Sequence, residues 1–373
     1  MTDVTGVLTS YGLDANVPIS IDPIIDLLDP TDLPFQNGFV LGGQSALAKG
    51  TADNKKMEWQ DDSLVDALST INEGGAYAAG DVTLTVTDGT RFKAGDVLKI
   101  EAEKLYVSSI STHDLTVIRG FAGTTDAQHA DGTRVICVGQ ALPEGNDAIE
   151  ASHRDRDRSY NYTQIFGPRK VQATGTEQYM PKYGLVAGGE MMYQLDKEMI
   201  ELTKMVERAI IYGTRYDDAA DQRTMGGILE FISSNEDSTT TAPTEDAVGD
   251  LLESMYDAGA SVGSGWIFAS NLKQKRVISN IGTVNVERAD SGRGTVVEYF
   301  DTDVGRVQFN TSRYFEDADA ALYTRDNISL LTARPWMARP LAVTGDADSI
   351  MLVMEMTLKV KRQSHLGKFS AFA

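Results

Sequence analysis

Apolar side chains recur along this chain in distinct textures. From Glu190 to Tyr212, Met192, Leu195, Met199, Leu202, Val206 and Ala209 lie alternately three and four residues apart, with Asp196, Lys197, Glu201, Lys204 and Arg208 on other faces. This spacing predicts one amphipathic helix, about 35 Å long at 1.5 Å per residue, stopped by Gly213. A second helix is predicted after Pro243, with Thr244 as N-cap, Glu245 and Asp246 in its first turn, and Val248, Leu251, Leu252 and Met255 as its buried stripe. Trp266 to Ala269 reads as a short buried strand, Asn271 to Ser279 as a short helix. Val296 to Phe300 and Arg306 to Phe309 flank a tight turn, as in a hairpin. Near the C-terminus, Ile350, Leu352, Met354, Met356, Leu358 and Val360 alternate with Glu355, Thr357, Lys359 and Lys361, which predicts a long half-buried strand.

Between Asp81 and Val138 the period shortens. Val82, Leu84 and Val86, then Val97, Leu98 and Ile100, Leu105 to Val107, Leu115 to Ile118 and Thr133 to Val138 make about five strand candidates separated by turn residues. They predict a small all-β module of barrel size, with the Gly-rich tract Arg119 to Thr133 as a long loop before its last strand. Upstream, Pro18, Pro23, Pro30 and Pro34 break the first sixty or so residues into an extended arm that has little core of its own. Downstream, Arg154, Arg156 and Arg158 alternate with Asp155 and Asp157 before Tyr160, Tyr162 and Ile165. On a strand that period puts the arginines on one face and the aspartates on the other, which suits an exposed ribbon touching a neighbour.

Composition narrows the function. The 373 residues carry 34 basic and 54 acidic side chains, a formal charge of −20, with 42% hydrophobic residues and a single cysteine. The apolar fraction argues for a folded protein. Cys137 alone supports neither an internal disulfide nor a thiolate zinc site. The acidity argues against phosphate-backbone binding as the main role. The N-terminus lacks the basic and apolar regions of a signal peptide, and no run approaches the ~18 apolar residues of a membrane span, so a cytoplasmic protein is expected.

The search for chemistry finds no catalytic, cofactor or metal site. His153-Arg154-Asp155 lacks the asparagine, glycine loop and Asp-Phe-Gly of a kinase. Gly259, Gly263 and Gly265 lack the ending of a phosphate loop. His113, His129, His153 and His365 have no ligand spacing and read as loop or surface residues. Met191, Met192, Met199 and Met205 read as core and interface packing.

The order of elements resembles the major capsid proteins of tailed bacteriophages, with the Hong Kong 97-type fold. The residues carrying the resemblance are Gly175 to Tyr179 running into Gly188 to Leu195, then Val296 to Phe309, Leu322 to Asp326, Arg334-Pro335-Trp336 and Val343 to Ala347. The resemblance implies an α+β capsid fold carrying a small all-β insertion. Its parts would be an N-terminal arm over 1–58, an extended loop over 59–80 and 141–185, the insertion over 81–140, spine helix and peripheral domain over 186–240, an axial domain over 241–343, and a peripheral return strand over 344–373. A cleaved N-terminal scaffold segment is not expected.

The implied function is non-enzymatic. Copies would form hexamers and pentamers of an icosahedral virion shell around double-stranded DNA, assembled in the host cytoplasm, without sequence-specific DNA binding, cofactor, metal or membrane. Portal, scaffolding and decoration proteins are the further partners the resemblance allows. Arg154, Arg156 and Arg158 are the candidate inter-subunit contacts, since arginine forms directed bidentate pairs. Two other readings stand beside this one: an encapsulin-like compartment shell, and a phage tail or adhesion protein whose β module binds a glycan.

Overall fold

The computed structural model describes residues 32–36, 39–40, 44–62, 67–147, 156–180, 189–218, 222–238, 244–261, 265–279, 299–302, 305–343 and 345–371. Pro18, Pro23, Pro30, His153, Arg154 and Val296 to Glu298 lie outside these residues. The chain divides into two compact units, one of Gln60–Asp157 and one of Met1–Trp59 with Arg158–Ala373. The described helices are α1 (Gly175–Tyr179), α2 (Gly189–Tyr212), α3 (Ile228–Phe231), α4 (Glu245–Asp257) and α5 (Leu272–Ser279).

The larger unit is built on two sheets. In the first, the strand order is Gln164–Thr174, Ala347–Val360, Ile328–Pro340, Ala48–Thr51; only the last pairs in parallel. The long C-terminal strand is central here, and Leu352 to Leu358 are all buried, Glu355 and Thr357 included. The expected half-buried strand is therefore covered on both faces. Its charged side chain has to be neutralised by partners rather than by water.

In the second sheet the order is Glu236–Asp237, Gly367–Ser370, Asp319–Thr324, Trp266–Ser270, Arg306–Thr311, Tyr299–Asp301. The hairpin expected from Val296 to Phe309 is present over its described part, with Phe300 opposite Val307. Alternation splits the two faces of this sheet. Ile267, Ala269, Ala321 and Tyr323 face the main core with Met354, Met356 and Leu358, while Trp266, Phe268, Val307, Leu322 and Phe369 receive α4 and α5.

Helix α2 follows the predicted period, with a difference on one face. Leu202, Val206, Ile210 and Ile211 are buried, but Met192 and Met199 are each 43% exposed and Met205 is 37% exposed. Leu195 and Leu202 of the helix pack in a small cluster with Val171, Leu352, Ile350 and Trp336, whereas its last turns enter the main core. Of the four methionines, Met191 packs against that cluster, while Met192, Met199 and Met205 stay exposed. At its end, Gly213 N–H donates to Ala209 O at 3.0 Å and Gly227 N–H to Gly213 O at 2.7 Å. A Cβ on Gly227 would lie 2.6 Å from Ile211 O, so this backbone crossing requires glycine.

The smaller unit is a six-stranded antiparallel sheet in the order Leu68–Thr70, Arg134–Gln140, Asp96–Ile100, Glu103–Ser111, Asp114–Ile118, Thr83–Thr85. Its two edges meet. Ile71 bridges Val86, Asn72 N–H donates to Thr85 O and Thr87 N–H to Thr70 O, each at 2.9 Å, closing a small barrel. Inside are Ile71, Leu84, Val86, Leu98, Ile100, Leu105, Val107, Leu115, Val117 and Val135, the inward half of each alternating strand.

Two expected boundaries shift. The barrel unit begins at Gln60 rather than 81, because Leu68–Thr70 supplies the strand that closes it. The border at 343 falls within a single hairpin, since Ile328–Pro340 and Ala347–Val360 pair along their length.

Candidate functional site: ribbon, arm and barrel loop

The ribbon consists of Lys56–Asp61 paired with Asp157–Tyr162. Its root is held by Asn161, fully buried, whose amide nitrogen donates to Leu358 O at 2.7 Å and Gly226 O at 3.1 Å while its oxygen accepts from Gly226 N–H at 2.8 Å. Beyond the root, Trp59 still packs into the main core, 6.1 Å from Phe231, while Glu58, Gln60, Asp157 and Arg158 are exposed. Tyr160 lies between two cations, Lys56 at 4.2 Å and Arg215 at 4.6 Å from its ring centre.

Of the three candidate arginines, Arg154 lies outside the described residues. Arg156 faces Asp62 at 3.8 Å and Arg158 faces Glu58 at 3.6 Å, with more than 60% of each arginine side chain exposed. These pairs are too long for hydrogen bonds and too exposed to stabilise the fold much. The guanidinium groups are thus presented at the surface, each beside a carboxylate of the outgoing strand.

Below the ribbon, Glu355 gathers three segments. It accepts from Thr163 Oγ1 at 2.8 Å, from Arg334 Nε at 2.7 Å and from Arg223. Burial raises its pKa, but the hydrogen bonds from Thr163, Arg223 and Arg334 outweigh this and hold it below the usual carboxylate value. The carboxylate is a structural rivet between the ribbon root and the central strand.

A second buried carboxylate receives the arm. Glu207 of α2 has no exposed surface; its Oε1 accepts from Phe35 N–H at 2.7 Å and its Oε2 from the Gln36 side-chain amide at 3.0 Å. Gln36 also donates to Thr203 O at 2.8 Å, and the Phe35 ring lies 6.0 Å from Phe315 and 6.3 Å from Tyr323. Burial drives the Glu207 pKa up to about 7, against the opposing effect of the Phe35 and Gln36 hydrogen bonds. The arm segment therefore docks through an apolar plug, the Glu207 carboxylate and an ion pair between Asp32 and Arg313.

In the barrel unit, the Gly-rich loop is ordered by a buried ionic knot. Arg119 grips Glu103 through Nε at 2.8 Å and Nη2 at 2.7 Å, also contacts Asp126 at 2.7 Å, and lies over the Tyr77 ring at 4.4 Å. Glu103 further accepts from Gly120 and Ala127 N–H, each at 3.2 Å. Burial raises the Glu103 pKa, yet Arg119, His129 and the two backbone donors overcome it and hold it at about 2. His129, expected to be a loop or surface residue, does lie in the loop but is only 2% exposed, with its ring nitrogens 2.9 Å from Glu103 and 3.0 Å from Glu101. The knot explains the correction, since a buried Glu–Arg pair still has lone pairs to satisfy.

Sequence reasoning missed Glu207, Glu355 and Glu103. The first two stand among many acidic residues with no local motif to mark them. Glu103 could have been sought from Arg119 and His129, which flank the glycine tract. Among the described residues, no group of three His, Cys, Asp or Glu side chains could hold a metal ion, and no helix is long and apolar enough to cross a membrane. These are the sites of a molecule whose polar groups lock segments together.

Comparison with known proteins agrees with that character. The family model described as "SU10 major capsid protein" matches residues 3–372. No curated protein matches. The capsid of the empty GTA particle aligns over 98% of both chains at 10% identity and a TM-score of 0.50, as does the capsid of the native GTA particle. A structure from Microbacterium phage Oxtober96 aligns over 96% of this chain and 97% of its own at 8% identity and a TM-score of 0.50. Such identities speak to fold, here mixed α+β of the Hong Kong 97 type with a barrel insertion. With the family model spanning nearly every residue, this chain belongs to the SU10 major capsid protein family and is a shell-forming structural protein of a virion capsid.

Proposed function

We propose that copies of this chain form hexamers and pentamers that close into an icosahedral shell around double-stranded DNA. The observation carrying this reading is the family match over residues 3–372. In this account the N-terminal segment acts as the arm, the ribbon of Lys56–Asp61 and Asp157–Tyr162 belongs to the extended loop, α2 is the spine, and the two large sheets belong to the peripheral and axial domains. The barrel insertion faces outward. Assembly takes place in the host cytoplasm, with portal, scaffolding or decoration proteins as further partners. The role is structural and needs no cofactor.

The exposed ribbon supports inter-subunit contacts by Arg154, Arg156 and Arg158, since its described pairs with Asp62 and Glu58 are loose enough to exchange for a neighbour's carboxylates. Met192 and Met199, seven residues apart on one exposed face of α2, offer an adaptable apolar contact for a second copy. Negative-stain microscopy of the purified protein tests the whole reading. Closed shells or capsomer rings are expected, and a stable monomer at high concentration would overturn it. Replacing the three arginines by glutamate should stop or distort assembly; normal particles would remove them from the contact.

A further inference from the structure

Helices α4 and α5 lie on one face of the six-stranded sheet, and their outer faces carry opposite charge. In α4, Asp246, Asp250, Glu253 and Asp257 are all exposed. Their spacing of four, three and four keeps them on one stripe about 16 Å long. The helix holds five acidic residues and no basic one, and Tyr256, 54% exposed, flanks the stripe. Helix α5 holds Lys273, Lys275 and Arg276 and no acidic residue. Beside it is a shallow cavity of about 430 Å³ lined by Leu272, Lys273, Arg276 and Val277, with Leu272 63% exposed.

The stripe carboxylates and Arg276 have no ion-pair partner among the described residues, whereas Lys273 already meets Asp317 at 3.1 Å. Among the described residues, then, the α4 stripe is an unpaired negative face, and Arg276 is an unpaired positive charge beside the Lys273–Asp317 pair.

Their placement gives the complementarity a direction. Helix α4 packs beside Gly367–Ser370 and α5 beside Arg306–Thr311, with two strands between. Three strand spacings put them about 14 Å apart, on opposite flanks of the same layer. A chain with complementary faces on opposite flanks associates head to tail, and such a contact closes into a ring when the rotation allows.

We propose that the α4 face of one copy docks on the α5 face of the next, with the acidic stripe meeting Arg276 and Lys273, and Tyr256 and Leu272 supplying the apolar contact. A second copy is favoured over nucleic acid because DNA at α5 would lie beside the carboxylates of α4 in a chain of net charge −20. The proposal rests on the shell reading above and adds which faces join.

The test uses the full chain with Asp250→Lys and Glu253→Lys together, Arg276→Glu alone, and all three combined. All three positions are exposed, so melting curves should match the wild type. Like charges across an interface cost several kcal/mol, so each one-sided variant should lose capsomer rings by at least about tenfold in sedimentation and microscopy. The combined variant restores opposite charge where positions 250 and 253 meet position 276, and should recover assembly over either parent. An equimolar mixture of the one-sided variants pairs best in alternation, so it should enrich six-membered over five-membered rings.

One-sided variants that assemble like the wild type would overturn the proposal, as would a combined variant no better than either parent. Normal shells of Arg276→Glu with reduced DNA retention would assign α5 to nucleic acid instead. A wild-type protein that forms no rings would remove the shell reading and this one with it.

Discussion

The clasp at Glu207 predicts a pH dependence that can be read at a single amide. With the arm docked, Glu207 is fully buried and its pKa rises from 4.5 to about 7. If the arm segment lifts away, the carboxylate meets water and returns toward its ordinary value. Docking is thus linked to proton uptake. The sign follows from the raised pKa: the contribution is fully present below pH 4.5 and is lost as pH rises through about 7. At about 1.4 kcal/mol per pH unit, the gap amounts to about 3 kcal/mol, or a few hundred-fold in the docking equilibrium.

Tyr314 and Tyr323 face the same site, but burial raises both of their pKa values, so they stay neutral across this window. Hydrogen exchange of residues 32–36, corrected for the intrinsic rate, should show protection rising as pH falls from 8 to 5. The Phe35 amide is the direct reporter. Glu207→Gln should flatten that slope, since the amide does not titrate. Parallel slopes in wild type and variant, or wild-type protection rising with pH, would refute the reasoning.

Three other outcomes are expected. Glu103→Gln leaves the buried Arg119 guanidinium with only the partly exposed Asp126 as a carboxylate and should cost the barrel about 3 kcal/mol by calorimetry of the intact chain. Because its pKa is lowered from 4.5 to about 2, wild-type Glu103 contributes stability above pH 4.5 that is lost as pH falls through 2, and the variant should lack that acid transition. Gly227→Ala forces a Cβ against the end of α2 and should destabilise the larger unit by about 1–3 kcal/mol in denaturant titration, with the barrel transition unmoved. Assembly should weaken at low ionic strength, where screening lengths reach ~30 Å at 0.01 M, because each copy brings a charge of −20; light scattering that is flat in salt would contradict this.

Periodicity alone determined much of this protein. The three-four spacing of α2, the Thr244 cap whose hydroxyl accepts from Ala247 N–H at 3.1 Å, and the alternating strands of the barrel were all legible, because each depends on near neighbours in sequence. The order of those elements, together with tracts such as Gly188 to Leu195, was enough to suggest the capsid class. Tertiary structure alone decided what those elements meet. Met192 and Met199 fit the helical period but are exposed, because the cluster beneath this part of α2 takes Met191, Leu195 and Leu202 instead.

Glu355 sits on the polar side of its strand yet is buried, because Thr163, Arg223 and Arg334 arrive from segments 21 to 192 residues away. Glu207 reaches the arm across 172 residues, and the opposed charges of α4 and α5 become a pair of flanks only once two strands separate them. Burial of a charge depends on partners that fold closure supplies, and no local pattern encodes them.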